Sequence, residues 1–187
     1  MSVTVLIVPV FAFAVLIREP LWQRFVVAGS VLTTATVFQM SMVDFDRFTE
    51  DALHVLWFSR QAVSEVGGPT ITPEHVLIGL LRSRPESVRR FLGPMDSPDV
   101  IVTELVSSVR QFDRIPSDNN DVPLASNTDR VFQRAVDESG AQPGTRAVTP
   151  EHILLALLIA SDGVAAATLR SHSITERDVR SYLQSRK

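Results

Sequence analysis

The sequence predicts an all-α protein built from two copies of one helical unit. Residues 72–81 read TPEHVLIGLL and residues 149–158 read TPEHILLALL, so that seven of the ten positions are identical. The other three positions exchange one small or apolar residue for a similar one. Residues 48–187 contain no sustained alternation of apolar and polar residues, which is the pattern of a half-buried strand. We therefore expect two pseudo-symmetric four-helix repeats that form one compact eight-helix domain.

An amphipathic helix is predicted to open each repeat. Its apolar face carries Ala52, Val55, Leu56 and Val63 in the first copy and Thr128, Val131, Phe132 and Ala135 in the second copy. These positions follow the spacing of one helix face. Thr49 and Ser126 are the predicted N-caps of the two helices, because a hydroxyl can accept a hydrogen bond from the first free backbone N–H groups.

The repeated motif predicts the start of a second, central helix in each copy. A threonine N-cap, a proline at the first helical position and a glutamate in the first turn recur as Thr72, Pro73, Glu74 and Thr149, Pro150, Glu151. Proline at this position gives up only an N–H without an intrahelical partner, and the helix dipole favours the carboxylate. Residues 76–81 and 153–158 are apolar nearly all round, which predicts burial. His75 and His152 are expected to form local hydrogen bonds.

Two further helices complete each predicted repeat. The third spans residues 85–92 or 163–170, and the fourth spans about 98–110 or about 175–185. Residues 113–123 read DRIPSDNNDVP, and their two prolines and run of Asp and Asn predict a linker. The first repeat is therefore assigned to residues 44–112 and the second to residues 124–187.

Residues 1–43 form a hydrophobic N-terminal segment. Uncharged runs cover residues 2–17 and 25–43, and a short polar stretch separates them. A membrane hairpin is one interpretation, since about 20 apolar residues can span a bilayer; residues 1–39 would then anchor the domain. Translation from Met40 or Met42 is the second interpretation, and a packed extension is the third. The sequence leaves all three open.

Composition and motifs exclude several classes of function. The net charge is −3 and the basic residues are scattered, so no nucleic-acid partner is predicted. Cysteine is absent, which excludes thiolate catalysis and any cysteine-based metal site. The sequence contains no phosphate-binding loop, no serine-hydrolase motif and no zinc-protease motif. We therefore predict no catalytic residues, no metal and no cofactor.

The doubled motif resembles the Clp N-terminal (Clp R) repeat, which occurs twice at the start of the ClpA and ClpC unfoldases. The matching residues are Phe48, Thr49, Ala52, Gly67, Ile71, Glu74, His75, Leu77, Gly79 and Leu80 in the first copy, and Val148, Glu151, His152, Ile153, Leu154, Ala156 and Leu157 in the second. The resemblance covers about three quarters of the chain but includes no ATPase module. It implies a compact eight-helix domain that docks adaptors and captures substrates for the attached ATPase ring of a Clp unfoldase. A cytoplasmic location is expected separately, since the absence of cysteine fits a reducing compartment.

The resemblance also implies a ligand and the residues that hold it. In ClpC-type domains phosphorylated arginine is bound by the threonine after the opening phenylalanine and by the glutamate of the Glu-His pair. Carried over, these are Thr49 and Glu74 in the first repeat. The second repeat keeps Glu151 but has Leu124 and Ala125 in place of the aromatic residue and threonine. Helix capping is the alternative role for both glutamates, and a membrane-anchored interaction domain unrelated to proteolysis is the alternative function.

Overall fold

The fold is organised by the two capped helices that the repeated motif predicts. The computed structural model describes residues 43–109, 122–140 and 147–186. In these ranges the chain forms eight α-helices and no strand, which confirms the all-α prediction. Helices α1 to α4 span Glu50–Val66, Pro73–Ser83, Pro85–Arg89 and Pro98–Val109. Helices α5 to α8 span Ser126–Gly140, Pro150–Ala160, Val164–Ser171 and Glu176–Ser185.

The helix boundaries agree with the predictions to within a few residues. Helix α3 ends at Arg89, because Phe91 and Leu92 donate to the carbonyls three residues earlier and so tighten the chain out of the α-helix. Ser126 is the first residue of α5 and not its N-cap. The Asp129 N–H donates to the carbonyl of Ala125, which places the cap one residue earlier. Residues 1–42 and most of the predicted linker lie outside the described residues.

Helices α2 and α6 form the centre of the core. Every residue from position 75 to 81 and from position 150 to 158 is buried. An apolar run without a polar face can lie only where neighbours cover it on all sides, and the other helices of both repeats supply that cover. The prediction that these two helices are central and buried is confirmed.

The two repeats are joined by short backbone pairings that cross from one copy to the other. Isolated parallel bridges link Phe48 to Val148 and Ile71 to Leu124. The Thr49 N–H donates to the carbonyl of Val148 at 2.9 Å, and the Ala125 N–H donates to the carbonyl of Ile71 at 3.0 Å. The opening segment of each repeat is therefore tied to the residue that precedes the central helix of the other repeat.

A close helix crossing distinguishes the first repeat from the second. A Cβ atom built at Gly79 of α2 would lie 2.6 Å from the carbonyl oxygen of Val55 and 2.7 Å from the nitrogen of Ser59. Both of these backbone atoms belong to α1, so the two helices touch at a point where only glycine fits. The matching position of α6 is Ala156.

Candidate functional site

A threonine–histidine pair closes the start of α2. The Nδ1 atom of His75 accepts a hydrogen bond from the Thr72 N–H at 3.2 Å and lies 2.9 Å from the Thr72 hydroxyl oxygen. Because Nδ1 is an acceptor, the proton of the neutral ring is on Nε2, which donates to the Gly67 carbonyl at 3.0 Å. The prediction of local hydrogen bonding is confirmed for His75, which also fixes the loop before the helix.

The second copy repeats this arrangement in part. The Nδ1 atom of His152 accepts from the Thr149 N–H at 3.1 Å. Its Nε2 atom is buried and has no hydrogen-bond partner among the residues that the structure describes. Burial lowers the pKa of both His75 and His152 below the ordinary value of 6.5, and the charge of the neighbouring glutamate opposes this shift in each case. Both rings are structural.

Glu74 reaches from the first repeat to the second. Its carboxylate oxygen Oε1 accepts from the Ala165 N–H, in the first turn of α7, at 3.4 Å. Gly163 precedes that helix, and a Cβ atom at this position would lie 3.0 Å from the same oxygen. Glu74 is half-buried. A carboxylate of one repeat therefore lies against the positive N-terminal end of a helix in the other repeat.

Glu151 makes the reciprocal crossing from the second repeat to the first. Its Oε1 atom accepts from the Ser87 hydroxyl, in the first turn of α3, at 3.2 Å, and its Oε2 atom accepts from the Thr149 hydroxyl at 2.9 Å. The guanidinium nitrogen Nη2 of Arg90 lies 3.8 Å from Oε1. Glu151 is only 5% exposed, so this carboxylate is buried and already has partners.

The structure does not bring Thr49 and Glu74 together. The Thr49 hydroxyl caps α1 by accepting from the Ala52 N–H at 3.3 Å, and it donates to the Val148 carbonyl at 3.1 Å. Arg84, just after α2, pairs with the first turn of α1, which places Thr49 near the C-terminal end of α2. Glu74 is at the other end of that helix, and an α-helix of 11 residues is about 16 Å long. Thr49 lies instead beside the segment that leads to Glu151.

Two neighbours of the candidate carboxylates were not predicted from the sequence. Ser87 lies in the third helix of the first repeat and Arg90 directly follows it, and both meet Glu151 only because the two repeats pack together. No local pattern in the sequence signals this meeting, because 64 residues separate Ser87 from Glu151.

Other kinds of site are not found in the described part of the chain. In residues 43–109, 122–140 and 147–186, no group of three His, Asp or Glu side chains could hold a metal ion. Over the same ranges no single helix is long and apolar enough to cross a membrane. Helices α6 and α7 pass that test only as a pair bent by 105°, and α6 is buried in the core.

The fold and the crossed glutamates define a duplicated all-α domain, and comparison with known proteins assigns its family. The family model described as the Clp repeat (R) N-terminal domain matches residues 47–172. The chain therefore belongs to this family. The chloroplastic chaperone protein ClpD of Arabidopsis thaliana is 30% identical over 139 residues, which are 67% of this chain and 14% of that protein. The chain thus matches about one seventh of that relative.

Solved structures agree with this assignment at the level of the fold. The N-terminal domain of ClpD from Arabidopsis thaliana has a TM-score of 0.60 at 24% identity and covers 79% of this chain and 98% of that one. The Hsp104 N-terminal domain from Candida albicans has a TM-score of 0.57 at 15% identity. This match covers 72% of this chain and 87% of the Hsp104 domain. The chain thus shares the fold of the N-terminal domains of the Clp chaperones.

Proposed function

We propose that this chain is a binding module that recognises adaptors, or substrates that carry a degradation mark, for a Clp protease system. Membership of the Clp repeat (R) N-terminal domain family supports this proposal. The partners proposed are a Clp unfoldase, its adaptors and its substrates. The mark proposed is phosphorylated arginine, because the surroundings of Glu74 suit both the guanidinium part and the phosphoryl part of that side chain.

The observation that carries the proposal is the setting of the Glu74 carboxylate. Among the described residues its one hydrogen bond is the long contact from the Ala165 N–H. A carboxylate offers about four lone-pair positions and can accept a guanidinium group through two parallel bonds. The N-terminal end of α7 beside it favours a phosphoryl group. Glu151, with Thr49 close to its segment, is the matching position of the other repeat.

The first experiment asks which proteins bind. The full chain serves as bait in lysates of its own cells, and mass spectrometry scores a Clp unfoldase, its adaptors and arginine-phosphorylated proteins. We expect at least one of these classes to be enriched over a bait that carries Glu74→Gln. Equal recovery by the two baits would exclude Glu74 as the binding group. The absence of all three classes would contradict the proposed function.

The second experiment asks what the site binds. Phosphoarginine is titrated into the full chain by calorimetry, and Glu74→Gln is expected to lower the affinity about tenfold or more, which corresponds to about 1.4 kcal/mol. The neutral amide keeps the size of the side chain but loses the charge that attracts a guanidinium. Glu176→Gln is the matched control, since Glu176 is an exposed glutamate in the first turn of α8. Equal losses in the two variants would contradict the assignment.

We further propose a cytoplasmic location, with membrane association through residues 1–39 as the alternative. Their uncharged composition is the observation behind that alternative. Fractionation of cells that express the native gene separates the two. Recovery in the membrane pellet, followed by release when residues 1–39 are deleted, would favour the anchor. A soluble product that begins at Met40 or Met42 would exclude it.

A further inference from the structure

Arg90 holds its guanidinium group against the buried carboxylate of Glu151. The Nη2 atom lies 3.8 Å from Glu151 Oε1, and the two side chains are 33% and 6% exposed, respectively. The Nε atom of Arg90 donates to the Glu86 carbonyl at 3.1 Å, and Nη1 donates to the Tyr182 hydroxyl. Each nitrogen of the guanidinium group therefore faces a partner.

An aromatic wall fixes the same group from one side. The guanidinium carbon of Arg90 lies 4.4 Å from the centroid of the Tyr182 ring, a cation–π arrangement. Phe91 packs edge-on against Tyr182, with ring centroids 5.6 Å apart. Tyr182 belongs to α8 of the second repeat, and Arg90 follows α3 of the first. Residues of both repeats thus hold the guanidinium group of Arg90 beside the carboxylate of Glu151, which belongs to the second repeat.

Glu74 has no such cation. In the described ranges no Lys, Arg or His side chain forms an ion pair with Glu74, and the first turn of α7 beside it is Val164, Ala165 and Ala166. The two glutamates occupy matching positions, and each accepts a hydrogen bond from the first turn of the third helix of the opposite repeat. They differ in that a guanidinium group from the chain itself already lies at one of them.

We propose that Arg90 is an internal ligand, which occupies the guanidinium position at Glu151 and leaves Glu74 as the only one of the two carboxylates that accepts an external arginine-type group. This inference rests on the proposed function of Glu74. Arg90 thereby determines the stoichiometry of the domain: one ligand is bound although two glutamates of the same motif are present. Removal of the Arg90 side chain exposes a second site with the same preference for a guanidinium group.

Calorimetric titration of the full chain with phosphoarginine tests this inference. The wild-type chain is expected to bind one equivalent, and Glu74→Gln to weaken its binding about tenfold or more. Arg90→Ala is expected to bind a second equivalent, and the additional change Glu151→Gln is expected to weaken that second binding event about tenfold or more. Arg89→Ala is the matched control, because Arg89 is the exposed neighbour of Arg90. Arg90→Met keeps the length that packs on Tyr182 and is expected to behave as Arg90→Ala does.

The outcomes separate this inference from the proposed function. One equivalent in the wild type and one in both Arg90 variants would overturn the internal ligand and leave the Glu74 site intact. Two equivalents in the wild type would show that Arg90 does not close the Glu151 site. An absence of binding in the wild type and in both Arg90 variants would overturn the internal ligand and the phosphoarginine site together.

Discussion

The two central helices begin with the same motif, but the glutamates of that motif lie in different surroundings. Glu74 is half-buried and accepts a single N–H at 3.4 Å, whereas Glu151 is 5% exposed and has two hydroxyl donors and an arginine. The motif does not cause this difference, because each glutamate contacts the third helix of the other repeat. The two repeats therefore share the carboxylate but differ in its partners, so that Glu74 has few contacts and Glu151 is enclosed by its own.

The same contrast holds for the crossings between the first two helices of each repeat. Gly79 lets α2 touch the backbone of α1, whereas Ala156 occupies the matching place in α6. The first repeat thus depends on a missing side chain at a point where the second does not. Substitutions at paired positions are the direct way to test whether the two halves are interchangeable.

The largest effect on stability is expected when each of these two residues is replaced by its counterpart in the other repeat. Gly79→Ala places a methyl group against backbone atoms of Val55 and Ser59, and overpacking of this kind costs about 1 to 3 kcal/mol. Ala156→Gly is the matched change and costs about 1 kcal/mol through helix propensity. Chemical denaturation measures both. A smaller loss for Gly79→Ala than for Ala156→Gly would show that the close crossing is not a constraint.

A smaller difference is expected between the starts of α1 and α5. Thr49→Ala removes the N-cap and the hydrogen bond to the Val148 carbonyl, and loss of a cap costs about 1 kcal/mol. Ser126 is exposed and is not the cap of α5, so Ser126→Ala should change stability by less than about 0.5 kcal/mol. Thermal unfolding of the two variants checks this, and equal losses would contradict the asymmetry of the openings.

The pH dependence of stability compares the buried histidines with His172. Because burial lowers the pKa of His75 and His152, the unfolded chain binds protons more readily, and their contribution to stability falls as the pH drops below 6.5. Denaturation midpoints measured from neutral to mildly acidic pH should therefore decrease. His75→Gln and His152→Gln should each make this decrease shallower, and an unchanged slope in both would contradict the expectation.

His172 is expected to act in the opposite direction. Burial lowers its pKa, but hydrogen bonds at 3.0 Å to Asp96 and 3.1 Å to Glu104, together with their charges, outweigh burial and raise it above 6.5. Its stabilising contribution is complete below pH 6.5 and is lost as the pH rises through the raised pKa. His172→Gln should therefore destabilise the protein more at acidic than at alkaline pH. The reverse order would contradict this assignment.

Much of the local structure could be predicted from the sequence. The capped starts at Thr72 and Thr149, the prolines after them and the burial of the apolar runs depend on residues within about four positions of one another, where a helix brings side chains and backbone into contact. The position of Ser126 was wrong by one residue, because the backbone carbonyl of Ala125 does what a side-chain cap would do.

The contacts of the candidate site, in contrast, could not be predicted from the sequence. The sequence by itself determined that the chain is all-α, that it is duplicated, and that Glu74 and Glu151 begin buried helices. Only the tertiary structure decided that Thr49 bonds to Val148, 99 residues away and just before Glu151, and that Glu151 meets Ser87 across 64 residues. The physical reason is that the docking of two apolar faces sets these contacts. Helix periodicity specifies which residues those faces contain but not which polar groups meet at their edges.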